Sequence, residues 1–214
     1  MGDLPLPALA TYATLVAVAV AAEAARRKRW FGVAKPAATL ALLAVLGWPP
    51  EGALGVLVTV GILLSLGGDV ALLSKSRQAF LVGLGLFLLA HVCYAAGFAR
   101  HGHVSAVPAA AGVAFAAFAL LFVRILWPGI EGLRAPVIAY AAGITVMVTT
   151  AVATLGGSLR GAPLLAAGAV LFFASDTNLG WNRFRKSYPR HNTVTLILYW
   201  AGQLGIVLAA RWGA

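Results

Sequence analysis

Two aspartates stand alone inside long apolar runs, Asp69 in "LLSLGGDVALL" and Asp176 in "LFFASDTNLGW". An aspartate at the centre of a membrane helix costs roughly 2.5–3.5 kcal/mol on insertion scales. A chain that keeps one there turns it toward a bundle interior or a watery cavity, where it has a function. The chain has six acidic residues, and the other four stand at or near the ends of apolar runs. Proton transfer is the chemistry open to such a pair. Asp69 and Asp176 are therefore the candidate catalytic residues.

Polar side chains that could serve the pair fall on helical faces. His91 and Tyr94 are three residues apart and share one face. Asn192, Thr195, Tyr199 and Gln203 follow at spacings of three, four and four, a second continuous face that either lines a site or joins helices. Ser175, Thr177 and Asn178 flank Asp176 and offer hydrogen bonds to a carboxylate, while Gly67 and Gly68 allow a helix or a ligand close to Asp69. The candidate binding and positioning residues are thus His91, Tyr94, Ser175, Asn178, Tyr199 and Gln203. His91 lies about 12 residues into its helix, roughly 18 Å deep, so contact with both acids is not implied and a structural role stays open. That depth mismatch and the shortage of histidines disfavour a metal held by Asp69, Asp176 and His91. His101, His103 and His191 are expected in loops, exposed to solvent. Glu23 is expected to pair with Arg26 or Arg27 at i+3 or i+4. Cys93 is expected to be a small buried residue, and a lone cysteine excludes an intrachain disulfide. The chain has no Gly-x-Ser-x-Gly elbow, no His-Glu-x-x-His and no phosphate-binding Gly-x-x-x-x-Gly-Lys.

The elements that must position these residues follow from composition. Of 214 residues, 61% are hydrophobic and 10% charged, more apolar surface than a soluble domain can hide. The expected fold is all-α, a polytopic membrane helix bundle forming a single integral membrane domain over 1–214. Apolar runs bounded by charge, Pro or Gly predict eight transmembrane helices at 5–25, 34–49, 53–73, 79–98, 104–127, 134–155, 162–182 and 193–212. The first is expected to be a retained helix rather than a signal peptide, because no cationic stretch precedes it and no convincing cleavage site follows. The net charge of +10 hugs the helix ends, which points to topology and anionic lipid rather than nucleic acid. Of the 16 Lys and Arg, 13 fall after the first, third, fifth and seventh helices, Lys35 among them; only Arg100, Arg160 and Arg211 fall on the other side. The positive-inside rule then puts both termini outside and both aspartates toward the cytoplasmic leaflet, at matched depth. Composition favours a bacterial inner membrane. Asp69 and Asp176 are 107 residues apart, half the chain, which raises the expectation of two parallel four-helix repeats.

"GDVALL", "FLVGLGLFLLAHVCYAAGF", "SDTNLG" and "LYWAGQLGI" together resemble the YhhN-like integral membrane proteins, which include the lysoplasmalogenases. The resemblance covers nearly the whole chain, and its specific parts are Gly68, Asp69, Phe80, Gly83, Phe87, His91, Tyr94, Ser175, Asp176, Tyr199 and Gln203. It implies an ether hydrolase that cleaves the vinyl-ether bond of lysoplasmalogens to a fatty aldehyde and glycerophosphoethanolamine or glycerophosphocholine. Such a bond is activated by protonation at its β-carbon, which needs one protonated acid, one ionised acid and water; two neighbouring carboxylates provide the acids. No cofactor is implied, and the implied partners are a lysophospholipid substrate and membrane lipids. A proton-coupled transporter or lipid carrier is the alternative use of the same carboxylates. Replacing either aspartate with asparagine is expected to abolish turnover while leaving the fold intact, and relief of a buried acid is expected to keep or raise stability.

Overall fold

A computed structural model describes residues 4–213, and Asp3 lies outside them. Among the described residues there are eight long helices and no strand: α1 Leu6–Ala24, α2 Lys28–Leu46, α3 Gly52–Ala71, α4 Arg77–Ala99, α5 Ala106–Leu126, α6 Arg134–Ala153, α7 Ala162–Phe184 and α8 His191–Gly213. All eight are long and apolar enough to cross a membrane, where a helix satisfies its own backbone groups without water. Over its described residues the chain is an eight-helix membrane protein.

Seven of the helices lie within a few residues of the predicted spans; α2 does not. It begins at Lys28 rather than 34 and ends at Leu46 rather than 49. Lys and Arg are good helix formers, so the second half of the basic run, Lys28 and Arg29, opens the helix instead of extending the loop, and Pro36 is carried inside it. Lys35 therefore leaves the loop to which its charge pointed and enters the bundle, where it is buried. His191 likewise leaves its predicted loop and opens α8.

Neighbouring helices associate through small residues, as expected where lipid offers little hydrophobic drive for helix pairing. α7 lies so close to α8 that a Cβ added to Gly168 would stand 2.7 Å from the Gly202 carbonyl oxygen. On α3, a Cβ at Gly68 would meet the Phe87 ring at 2.6 Å and one at Gly61 would meet Tyr94 at 2.1 Å. The glycine beside Asp69 thus admits a neighbouring helix, α4. α8 packs on α1, α2, α3 and α7 and is the most buried of the eight, whereas α5 is the least. Fully buried Phe172 on α7 is the hub of the core, edge-on to Phe87, His91, Tyr94 and Tyr199.

Candidate active site

Asp69 lies two residues before the last residue of α3, and Asp176 eight before the last of α7, because α7 runs on to Phe184. Counting from helix ends therefore does not give the two acids one depth. Packing nevertheless brings both to the wall of one cavity of about 230 Å³, at the end of the bundle that carries the basic loops.

Their surroundings differ. Asp69 is 1% exposed; Lys35 Nζ of α2 stands 3.2 Å from its Oδ1. Thr39 donates to Oδ2 at 2.5 Å, and Tyr199 donates to the same oxygen at 2.9 Å. Lys35 and Thr39 are one helical turn apart on α2, so a single face of that helix delivers a cation and a hydroxyl to one carboxylate. The network continues inward: Gln203 Nε2 donates to the Tyr199 hydroxyl at 3.4 Å, and Tyr94 donates to Gln203 Oε1 at 2.8 Å. Tyr94, Tyr199 and Gln203 thus form one chain that ends on Asp69. Desolvated charge is tolerated where a partner and further donors satisfy it, and Asp69 has both.

Asp176 has neither Lys nor Arg within ion-pairing distance among the described residues. Tyr140 of α6 donates to its Oδ2 at 2.5 Å. His91 Nε2 lies 3.6 Å from the same oxygen, and neither His91 nitrogen has a hydrogen-bond partner. His91, fully buried, packs edge-on against Tyr140 and Phe172, with ring centroids 5.1 and 5.0 Å away. It is therefore a neighbour of Asp176 alone.

Several expected partners lie elsewhere. Ser175 donates to the Thr195 carbonyl, and Asn178 donates to Thr195 Oγ1 and to the His191 carbonyl. These two residues fasten α7 to α8 rather than solvate the carboxylate, although Ser175 also lines the cavity. Thr177 bonds to its own helix through the Phe173 carbonyl. Glu23 pairs with neither Arg26 nor Arg27 among the described residues; it accepts from Asn192 of α8 at 2.6 Å. The reason is that Arg26, with φ of 55°, turns the chain out of α1. Lys35, Thr39 and Tyr140 are missing from the sequence-based set. Lys35 read as loop charge, and nothing in an isolated α6 marks Tyr140 as facing Asp176.

Asp176 also lines a second, apolar cavity of about 80 Å³ bounded by α4, α5, α6 and α7, where Phe80, Phe118, Phe122, Leu126 and Ile144 form much of the wall. Phe80, Phe87, Asp176 and Arg183 line both spaces. Arg183 lies over the Phe80 ring, 4.6 Å from its centroid, a cation–π contact. Lys75 and Glu23 complete the charged rim of the larger cavity. One carboxylate thus stands where a polar, charged space meets an apolar one, an arrangement that suits an amphiphile with its reacting bond between head and chain.

Comparison with known proteins places these residues in context. Residues 29–210 match the YhhN family. The membrane protein YhhN of Escherichia coli O157:H7 is 33% identical over 184 residues, covering 84% of this chain and 86% of that protein. A lysoplasmalogenase of Mycobacterium tuberculosis is 37% identical over 113 residues, 50% of this chain and 41% of that protein. A lysoplasmalogenase of Homo sapiens is 28% identical over 158 residues, 72% and 64% of the two chains. No solved structure matches the chain.

Proposed function

Given that the chain belongs to the YhhN family, we propose that it is a lysoplasmalogenase, hydrolysing the vinyl-ether bond of a lysophospholipid by carboxylic acid–carboxylate catalysis. The names of the relatives support the reaction class. The observation that carries the reading is the position of Asp176 on the wall shared by a charged cavity and an apolar one. A lysolipid lying across that wall puts its hydrocarbon chain among Phe118, Phe122 and Leu126, and its phosphate toward Lys75 and Arg183. The vinyl ether joins these two parts and so comes to Asp176.

The roles follow from the partners of each acid. Asp69, held by Lys35, Thr39 and Tyr199, is the carboxylate. Asp176, with no cation partner, is the proton donor; Tyr140 occupies Oδ2 and leaves Oδ1 to carry the proton. Proton transfer from Asp176 to the β-carbon of the alkene gives an oxocarbenium ion, which the negative charge of Asp69 stabilises. Water from the charged cavity adds to the cationic carbon and loses its proton to a carboxylate, forming a hemiacetal. Collapse breaks the carbon–oxygen bond to the glycerol, releases the aldehyde and returns the proton, so the cycle consumes only water. Tyr140 fixes the Asp176 carboxyl group through its hydrogen bond, and His91 packs beside it without one. The surplus of Lys and Arg at this end of the bundle supports an orientation with the cavity open to the cytoplasmic leaflet, both termini outside, in the inner membrane of a bacterium.

Purified protein in nanodiscs, given alkenyl, acyl and alkyl lysolipids of matched chain and headgroup, tests the proposal. Aldehyde is expected from the alkenyl lipid, little turnover from the acyl one and none from the alkyl one. The alkyl lipid should compete, because it keeps head and chain contacts without the reactive alkene. Ester cleavage at a rate matching that of the vinyl ether, or no aldehyde at all, overturns it.

A further inference from the structure

Glu23 is a carboxylate in an unpromising place. It lies in the last turn of α1, against the negative end of the helix dipole, where an acid is disfavoured. It lies outside the span that matches the family. Lys35, Lys75 and Arg183 line the same cavity, yet among the described residues no cation stands within 4 Å of Glu23. Instead it is held by Asn192 in the first turn of α8, whose side-chain amide donates at 2.6 Å. A half-buried acid held by one neutral donor is left without an ion-pair partner among the described residues.

The cavity rim is therefore bipolar. Lys35 is taken by Asp69, but Lys75 and Arg183 form no ion pair among the described residues, leaving two cations available for a phosphate. Glu23 supplies the one further carboxylate on the rim, apart from Asp69 and Asp176. We propose that Glu23 is the ammonium-binding pole of a zwitterion-reading headgroup site, with Lys75 and Arg183 as its phosphate pole. This rests on the lysolipid reading of the same cavity. The chemical class selected is a phosphodiester that ends in an amine or quaternary ammonium, in preference to one that ends in a neutral hydroxyl. Complementary charge placed this way sets specificity, because a headgroup without a cation leaves Glu23 desolvated and unpaired when the rim is covered.

Glu23→Gln isolates the charge, since the Gln carbonyl can still accept from Asn192 and keep α1 fastened to α8. Two non-hydrolysable probes of equal phosphate charge are used, the 1-O-alkyl lysolipids of glycerophosphoethanolamine and of glycerophosphoglycerol. Their dissociation constants are measured by calorimetry on the full chain in detergent, wild type against Glu23→Gln and Glu23→Lys. Wild type is expected to favour the ethanolamine probe about tenfold, Glu23→Gln to bring the ratio near one, and Glu23→Lys to reverse it. With the alkenyl ethanolamine lysolipid, the Glu23→Gln loss should appear as about a tenfold rise in KM. A ratio unchanged in Glu23→Gln overturns the proposal, as does an equal loss of both probes, which marks Glu23 as a helix fastener. Absence of any preference in wild type overturns it as well. These constants are read without turnover, so a failed aldehyde assay counts against the hydrolase reading and a failed ratio against the Glu23 site.

Discussion

Lys35→Met removes the cation beside Asp69 and keeps an unbranched side chain of comparable length. The Lys35 side chain is 10% exposed and that of Asp69 2%, so water can replace little of what is lost; Thr39 and Tyr199 remain as donors. Removing one partner of a buried ion pair costs about 3–5 kcal/mol, because the other charge is left uncompensated. For a chain of this size about 2–4 °C of Tm accompanies each kcal/mol, so the melting temperature should fall by about 6–20 °C. Asp69→Asn should fall within the same range, since it strands Lys35 instead. The double variant Lys35→Met, Asp69→Asn should lose less than the sum of the two singles, with a coupling of about 2–3 kcal/mol of opposite sign to the single effects. Its aldehyde release should stay abolished, separating the structural role of the pair from the chemical one. The assay is tryptophan-fluorescence melting in one detergent at one scan rate, as membrane-protein unfolding is commonly irreversible. A Lys35→Met protein melting within about 1 °C of wild type, or a double variant whose loss equals the sum of the singles, would refute the buried pair.

Other outcomes follow from the same geometry. Asp176→Asn should lower turnover by at least about 10²-fold and leave melting unchanged or raised, because no cation partner is stranded; melting as low as that of Asp69→Asn would contradict the unequal surroundings of the two acids. Tyr140→Phe should lower kcat about tenfold by freeing the Asp176 carboxyl group, a loss of about 1.4 kcal/mol, and unaltered kcat would remove Tyr140 from the site. In heavy water, turnover should slow and one solvent deuterium should appear at the aldehyde α-carbon; product without it would exclude carbon protonation. Single cysteines at Lys75 and Arg185, in a background lacking Cys93, should react with impermeant reagents only from the cytoplasmic face, and labelling from outside would invert the topology.

How much of this was legible beforehand differs from residue to residue. Asp69 and Asp176 announced themselves because an isolated charge in a 20-residue apolar run is conspicuous whatever lies around it. Helical spacing alone picks out Tyr94, Tyr199 and Gln203, because a helix keeps its own face wherever it packs. Lys35 is hidden by its neighbours: four basic residues precede it at 26–29, and at the very start of the predicted span 34–49 it counts with them as topology charge. Ser175 and Asn178 adjoin Asp176 along the chain, but on a helix adjacent residues face different ways, and these two face α8.

By itself the sequence determined a membrane chain of eight helices, the end of the bundle that gathers cations, and the two acids that lipid would not tolerate unaided. Those are properties of length, composition and spacing, carried within single segments. Only the tertiary structure decided that the two acids are unlike. α2 brings Lys35 and Thr39 to Asp69, while α4 and α6 bring His91 and Tyr140 to Asp176, and the apolar wall contributed by α5 opens against the second acid alone. The physical reason is helix rotation. Which side chains meet across a bundle depends on where small residues such as Gly61, Gly68, Gly168 and Gly202 let backbones and rings approach, and close packing of that kind is settled between helices, not within them.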